Sequence, residues 1–241
     1  MKKIIFLLPN SASKPVGGVK IVLEYANRLA KDGCEVSLIY AAYSKWCKFG
    51  FLHIVFYLYQ FCKAKLTKNY LPKWFDVDPR IKQNLMWSLD RYDYPKDAKI
   101  VATAIDTAYY LNQYKIDVDN KYYLIQDYEN WFVDDDFVKE TYHYPMRKIV
   151  ISNWLKKIVN DLGEDAYLVP NGFDKIFFQL QTPIKERSAF ELIALYHTDK
   201  RKGLDVAFKA FEMVKEKFPQ LHVTLFGTPS QPERLPNWYS Y

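Results

Sequence analysis

Short apolar runs alternate with one-sided helical stripes along most of this chain, and that alternation restricts the fold more than any other feature. Residues 4–8 form a continuous apolar run. After a Pro/Ser/Gly loop at 9–18, residues 19–32 carry Val19, Val22, Leu23, Ala26, Leu29 and Ala30, the spacing of a helix buried along one side. Gly33 stands where a C-terminal cap belongs, and 35–40 reads as a second strand. The rhythm returns downstream with a strand at 99–103, a helix at 106–114 opened by an Asp cap, and a strand at 122–126. A helix runs from the Asp134–Asp136 cap to Tyr142, and a strand at 148–151 leads through Ser152-Asn153 into a helix at 154–162 closed by Gly163. A short strand follows at 167–169. The expected fold class is α/β, a Rossmann-like doubly wound parallel sheet.

A second unit begins at Phe190. Strand 190–196, helix 203–218 and strand 221–227 make one βαβ, with its apolar stripe at Leu204, Ala207, Phe208, Phe211 and Val214. Residues 228–241 hold three prolines and are expected to be irregular. The division that follows is a Rossmann-like domain at 1–170, a linker at 171–188, and the first βαβ of a second Rossmann-like domain at 189–241. One βαβ unit cannot bury a core alone. The expectation is therefore a two-domain protein that is C-terminally truncated and impaired in activity.

Composition narrows the partners. An apolar share of 49% with 26% charged residues is ordinary for a globular protein, and a net charge of +6 suits anionic ligands without reaching the level expected for nucleic-acid binding. Cys34, Cys47 and Cys62 are odd in number and lack C-x-x-C spacing, so they read as reduced thiols in a cytoplasmic protein. The run at 4–8 is too short for a signal peptide and reads as a buried strand. Residues 49–62 are uncharged, with Lys45 and Lys48 before them and Lys63, Lys65 and Lys68 after. A span needs about 20 residues. This stretch is either a buried helix or one lying in a membrane interface, which makes an anionic membrane surface a candidate partner of 45–68.

Candidate site residues gather at strand ends. Gly17-Gly18 follow the first strand, where a crevice at the carboxyl edge of an open sheet receives ligands and a helix start favours an anion; a plain turn is the alternative. No G-x-G-x-x-G is present, which disfavours a dinucleotide cofactor and an epimerase or reductase. Gln126, Asp127 and Glu129 sit at the end of strand 122–126, where a carboxylate can hold an acceptor hydroxyl or act as base. Arg201-Lys202-Gly203 occupies the equivalent place in the second unit, where two cations at a helix start suggest a bound phosphate or a solvated cluster. His197 ends the preceding strand and is a further candidate. The D-x-D pairs Asp76/Asp78 and Asp117/Asp119 read as turns, and the four histidines lack ligand spacing, so no metal is expected.

Together, Pro15-Val-Gly-Gly-Val19, Tyr123-Leu-Ile-Gln-Asp-Tyr-Glu129, Ile151-Ser-Asn-Trp154, Leu168-Val-Pro-Asn-Gly-Phe-Asp174 and Arg201-Lys-Gly203 resemble the GT-B glycosyltransferases of retaining family 4, in particular the bacterial rhamnosyltransferase-like members. The resemblance implies a nucleoside-diphosphate-sugar donor and a surface polysaccharide, glycan or lipid-linked acceptor. It implies a metal-free reaction without cofactor in which Gly17, Gly18, Arg201 and Lys202 meet the donor phosphates. Asn171 and Gly172 would belong to the passage between the domains. The chain departs from the pattern at Tyr196, where an Arg is usual, and at Gln126, near which a His is common. The acidic E-x7-E region of the family is not found. A non-catalytic glycan-binding module, or one half of a split transferase, is the rival reading.

Overall fold

The computed structural model of the chain describes residues 2–43, 51–90, 92–131 and 133–241, with 51–53 described by backbone alone. Lys45, Cys47 and Lys48 lie outside the described residues. The chain divides into two compact units, Met1–Gly172 and Phe173–Tyr241.

In the first unit, β1 (Lys3–Leu8), β2 (Glu35–Ala41), β3 (Lys82–Met86), β4 (Lys99–Ala102), β5 (Lys121–Ile125), β6 (Arg147–Val150) and β7 (Ala166–Leu168) form one sheet in the order 3-2-1-4-5-6-7. Every pairing is parallel, with Ile4 opposite Val36 on one side of β1 and opposite Lys99 on the other. The expected doubly wound α/β sheet is thus present. Its strands are apolar on both faces because both are covered. Phe6, Leu8, Leu38 and Tyr40 meet α1 (Gly17–Lys31) through Val22, Leu23, Ala26 and Ala30. Leu7, Ile39, Ile100 and Ile125 face the other way, onto α3 (Ile105–Gln113), α4 (Asp135–Tyr142) and α5 (Asn153–Asp161).

Local chemistry sets the helix ends. Gly33 takes φ +82° after α1, and Gly163 takes φ +81° after α5, the left-handed conformation that favours glycine. The Asp134 carboxylate accepts from Phe137 N at 2.8 Å, and Ser152 Oγ accepts from Leu155 N at 3.3 Å. One expected cap moves. α3 starts one residue before Asp106, with Ala104 as its N-cap, and Thr107 Oγ1 accepts from Thr103 N and Ala104 N at 2.9 and 3.0 Å. Asp106 is buried in the first turn, where its carboxylate accepts from Thr107 N.

Two strands escape the sequence pattern. β3, Lys-Gln-Asn-Leu-Met, is a sheet edge with only Leu85 buried, so it carries no apolar run. Its pairing with β2, Ser37 opposite Lys82, defines it. In the second unit, β8 (Glu191–Leu195), β9 (His222–Phe226) and β10 (Tyr239–Ser240) form a parallel sheet in the order 10-9-8. The expected irregular tail therefore ends in a strand, with Tyr239 opposite Val223. Leu221, Val223 and Leu225 are the buried centre of this unit, and α6 (Leu204–Lys217) lends Phe208 and Phe211 without burying any residue fully. Gly227 closes β9 against the Tyr196 carbonyl so tightly that any Cβ there would collide with it.

The uncharged stretch lies, from Phe51 onward, in α2 (Phe51–Thr67), and residues 54–60 of it are exposed, not buried. Among the described residues Phe61 and Ala64 pack half-buried against the α1-side core, while the turns before them stand in solvent. A buried helix needs neighbours on all sides, and no described element supplies them here. No helix among the described residues is long and apolar enough to cross a membrane.

Candidate functional site: a glycine-walled crevice at the strand reversal

The sheet order reverses direction between β1 and β4, and in an open α/β sheet the carboxyl ends of two such strands are where a ligand crevice is expected. The first wall is the loop from Pro9 to Val16, held from below. Ala12 is fully buried, its N–H donates to the Tyr70 carbonyl at 3.0 Å, and Trp74 Nε1 donates to the Ala12 carbonyl at 2.7 Å. This fixes the entry to α1 although its N-cap, Val16, has no side chain able to cap it. The first turn, Gly17-Gly18-Val19-Lys20, carries no acidic residue and no side-chain cap; Lys20 N donates to the Val16 carbonyl at 2.9 Å, which leaves the N–H groups of Gly17, Gly18 and Val19 as those an anion could meet.

The opposite wall comes from β4 and β5. Thr103, at the end of β4, is buried and its Oγ1 donates to the Leu7 carbonyl at 2.7 Å. The Gln126 amide nitrogen reaches the Thr103 carbonyl at 3.4 Å. A Cβ at Gly18 would lie 3.4 Å from that same nitrogen and 3.5 Å from the amide oxygen. Gly18 and Gln126, both singled out as strand-end residues, therefore meet at the reversal. Gly17 stands exposed beside them with open space above it.

Asp127 and Glu129 diverge. Asp127 is exposed, and its carboxylate accepts from Tyr128 N at 2.9 Å. Glu129 is half-buried and accepts from Ile105 N at 2.5 Å, so it caps the start of α3 from a distant part of the chain. Burial pushes its carboxyl up to about 8; the Ile105 amide pulls the other way, and the charges of Asp106 and Asp127 add to the rise. Glu129 is mainly protonated at neutral pH. Burial, together with Glu129, also raises the Tyr142 hydroxyl, which has no hydrogen-bond partner among the described residues.

A second concavity of about 630 Å³ opens between α2, the end of β3 and α3, lined by Tyr43, Phe61, Trp87, Tyr109 and Tyr110. Tyr43 stacks on Trp87 at 5.4 Å and 6°, and Phe61 meets Trp87 edge-on at 5.7 Å. Sequence reading missed this pocket because its anchor, Trp87, follows the edge strand that has no apolar run. The high aromatic share, 17%, was the available signal.

In the second unit His197, Asp199, Arg201 and Lys202 share one loop after β8. Asp199 N donates to His197 Nδ1 at 2.9 Å. The Asp199 carboxylate accepts from Arg201 N and pairs with its guanidinium at 2.6 Å, which holds the carboxyl down at about 2. The three cations of this loop therefore differ: Arg201 has an acidic partner, while Lys200 and Lys202 are exposed and in no ion pair among the described residues. Gly203, at φ +67°, joins the loop to α6. Asn171 and Gly172 lie exposed at the end of the first unit, with open space around Gly172. Asp78 holds Arg80 and opens a turn closed by Ile81 N on its carbonyl, while Asp117 caps a single 3-10 turn at Val118–Asn120 by accepting from Asp119 N. Among the described residues no three His, Cys, Asp or Glu side chains cluster as a metal site would require.

The sequence matches no protein-family profile and no curated protein. Its fold does have solved counterparts. A crystal structure of TarM superposes with a TM-score of 0.64 at 8% identity, over 95% of this chain and 72% of that one. A point mutant of S. aureus TarM in complex with fondaparinux, alpha-GlcNAc-glycerol and UDP superposes with a TM-score of 0.61, also at 8% identity, over 95% and 73%. TarM is a glycosyltransferase of GT-B fold, and this chain shares that fold. The likeness is one of architecture alone.

Proposed function

We propose that this protein belongs to a glycosyltransferase that moves a sugar from a nucleoside diphosphate to a surface polysaccharide or glycolipid, with retention and without a metal. The observation that carries the reading is the loop cluster at the β1/β4 reversal, where α1 starts without a side-chain cap, Gly17 stands exposed and Gly18 meets the Gln126 amide. Such a surface suits the diphosphate of a donor: it offers N–H groups and no carboxylate in the turn. The TarM complex with UDP and alpha-GlcNAc-glycerol supports the same class of ligand.

Each unit has its own part in the chemistry. Lys202, in no ion pair among the described residues, is able to offset charge on a departing diphosphate, and Arg201, neutralised by Asp199, is the weaker of the two in that role. Asp127, exposed at the strand end, is available to an acceptor hydroxyl; Glu129, protonated and bonded to Ile105 N, holds the start of α3 in place. The aromatic pocket beside Trp87 suits the apolar faces of sugar rings in the acceptor.

Titration of UDP and other nucleoside diphosphates, followed by donor turnover with a panel of nucleotide sugars, tests the reading. Gly18→Val is expected to abolish detectable nucleotide binding by filling the space before Gln126. Lys202→Ala is expected to lower turnover about 100-fold, the usual cost of removing one charge-stabilising donor. Melting curves for both variants separate these losses from unfolding. Absence of nucleotide binding at millimolar concentration would leave a glycan-binding module as the better description.

A further inference from the structure

The whole excess of positive charge lies in one segment. Between Glu35 and Asp76 there is no Asp or Glu, yet Lys45, Lys48, Lys63, Lys65, Lys68 and Lys73 all fall there. With 34 basic and 28 acidic residues in total, the remainder of the chain carries 28 of each sign and is neutral. Lys63, Lys65, Lys68 and Lys73 are exposed, and none is in an ion pair among the described residues.

The same segment carries the exposed turns of α2. Ile54, Val55, Phe56, Leu58 and Tyr59 are 38–60% exposed, and Leu66 is 84% exposed. At 100° per residue, Ile54, Val55 and Phe56 already point in three directions, so the apolar surface goes round the helix. A groove on a folded partner covers one side of a helix, whereas turns apolar on every side are covered fully only in a core or among lipid chains. The densest exposed apolar run, Ile54 to Tyr59, precedes the lysines along the axis, and Leu66 lies among them. Val55 and Lys63 are eight residues apart, about 12 Å at the helical rise, which is comparable to the depth of an interfacial helix below the headgroups. Phe61 and Ala64 pack the cationic end against the α1-side core, while residues 54–60 are exposed.

We propose that α2 is a membrane-docking element that places its N-terminal turns in the interface of an anionic bilayer, with Lys63, Lys65 and Lys68 against the phosphates. This rests on α2 and its charge alone, independently of sugar transfer.

Vesicle flotation of the full chain tests it, with phosphatidylcholine vesicles beside vesicles containing about 30% phosphatidylglycerol. Binding is expected to the anionic vesicles only. A Lys63→Glu/Lys65→Glu/Lys68→Glu variant should bind about 100-fold more weakly or worse, since each lysine contributes roughly fivefold. A Val55→Ser/Phe56→Ser/Tyr59→Ser variant should also lose binding while keeping its charge. These side chains are exposed, so unchanged melting of each variant serves as the folding control. An environment-sensitive dye on Val55→Cys should shift to the blue on vesicles, and more so than one on Leu66→Cys. Wild-type protein that stays with neither vesicle, or that sediments as a dimer dissolved by the serine variant without binding lipid, would overturn the proposal.

Discussion

The two units are built on the same strand–helix–strand plan and reach different degrees of burial. In β1, the consecutive residues Leu7 and Leu8 point to opposite faces and both are fully buried, one under α3–α5 and the other under α1. In β8 the alternation is of another kind: Leu192 and Ala194 pack inward, while Ile193 between them is 72% exposed. A parallel strand is stabilised through two faces, and only the first unit has described helices over both. The difference teaches that the strand pattern alone does not measure stability; the layers on either side do.

Paired truncations sharpen the contrast most. Leu23→Ala, on the buried face of α1 in the first unit, should cost about 3 kcal/mol, because the cavity it leaves is enclosed. Ile193→Ala on the open face of β8 should change stability by less than about 0.5 kcal/mol. Urea denaturation of the two variants measures both, and a loss as large at Ile193 as at Leu23 would break the comparison.

The units should also respond to pH in opposite senses. Glu129 in the first unit has its carboxyl raised from 4.5 to about 8, so the folded state holds a proton that the unfolded chain releases. Its contribution is fully present below about pH 4.5 and is lost as pH rises through about 8. Glu129→Gln, which keeps an acceptor for Ile105 N and cannot ionise, should gain about 1–2 kcal/mol over wild type at high pH. Denaturation at pH 4 and pH 9 reads the gap, which should close at the lower value. Asp199 in the second unit runs the other way. Its carboxyl is held from 3.8 down to about 2 by Arg201, so the pairing is present above the unfolded value and is lost as pH falls through about 2. Asp199→Asn should give the smallest effect, seen in NMR shifts of the 197–203 loop below pH 4 rather than in global stability, because the pair is exposed.

Much of this architecture was legible from residue order. The caps at Asp134 and Ser152, the glycine stops at Gly33 and Gly163, and the strands of the sheet centre all follow from local rules. What escaped them depended on distant residues. β3 is a strand because β2 lies beside it, and β10 because β9 does. The α3 start was misread because its cap is Thr107 and its second partner, Glu129, lies 24 positions away. Gly18 and Gln126 were each readable as strand-end residues; their approach across the crevice was not.

Residues 49–62 show where the boundary falls. The sequence determined that these residues are uncharged, flanked by lysines and too short to cross a bilayer. It left open whether they are buried, since an apolar helix has the same composition in a core and at an interface. Only the tertiary structure decided that, by packing Phe61 and Ala64 and leaving Ile54 to Tyr59 outside. Burial is a property of the neighbours a residue acquires. Periodicity reports which face of an element seeks cover, and the assembled layers determine whether that cover is there.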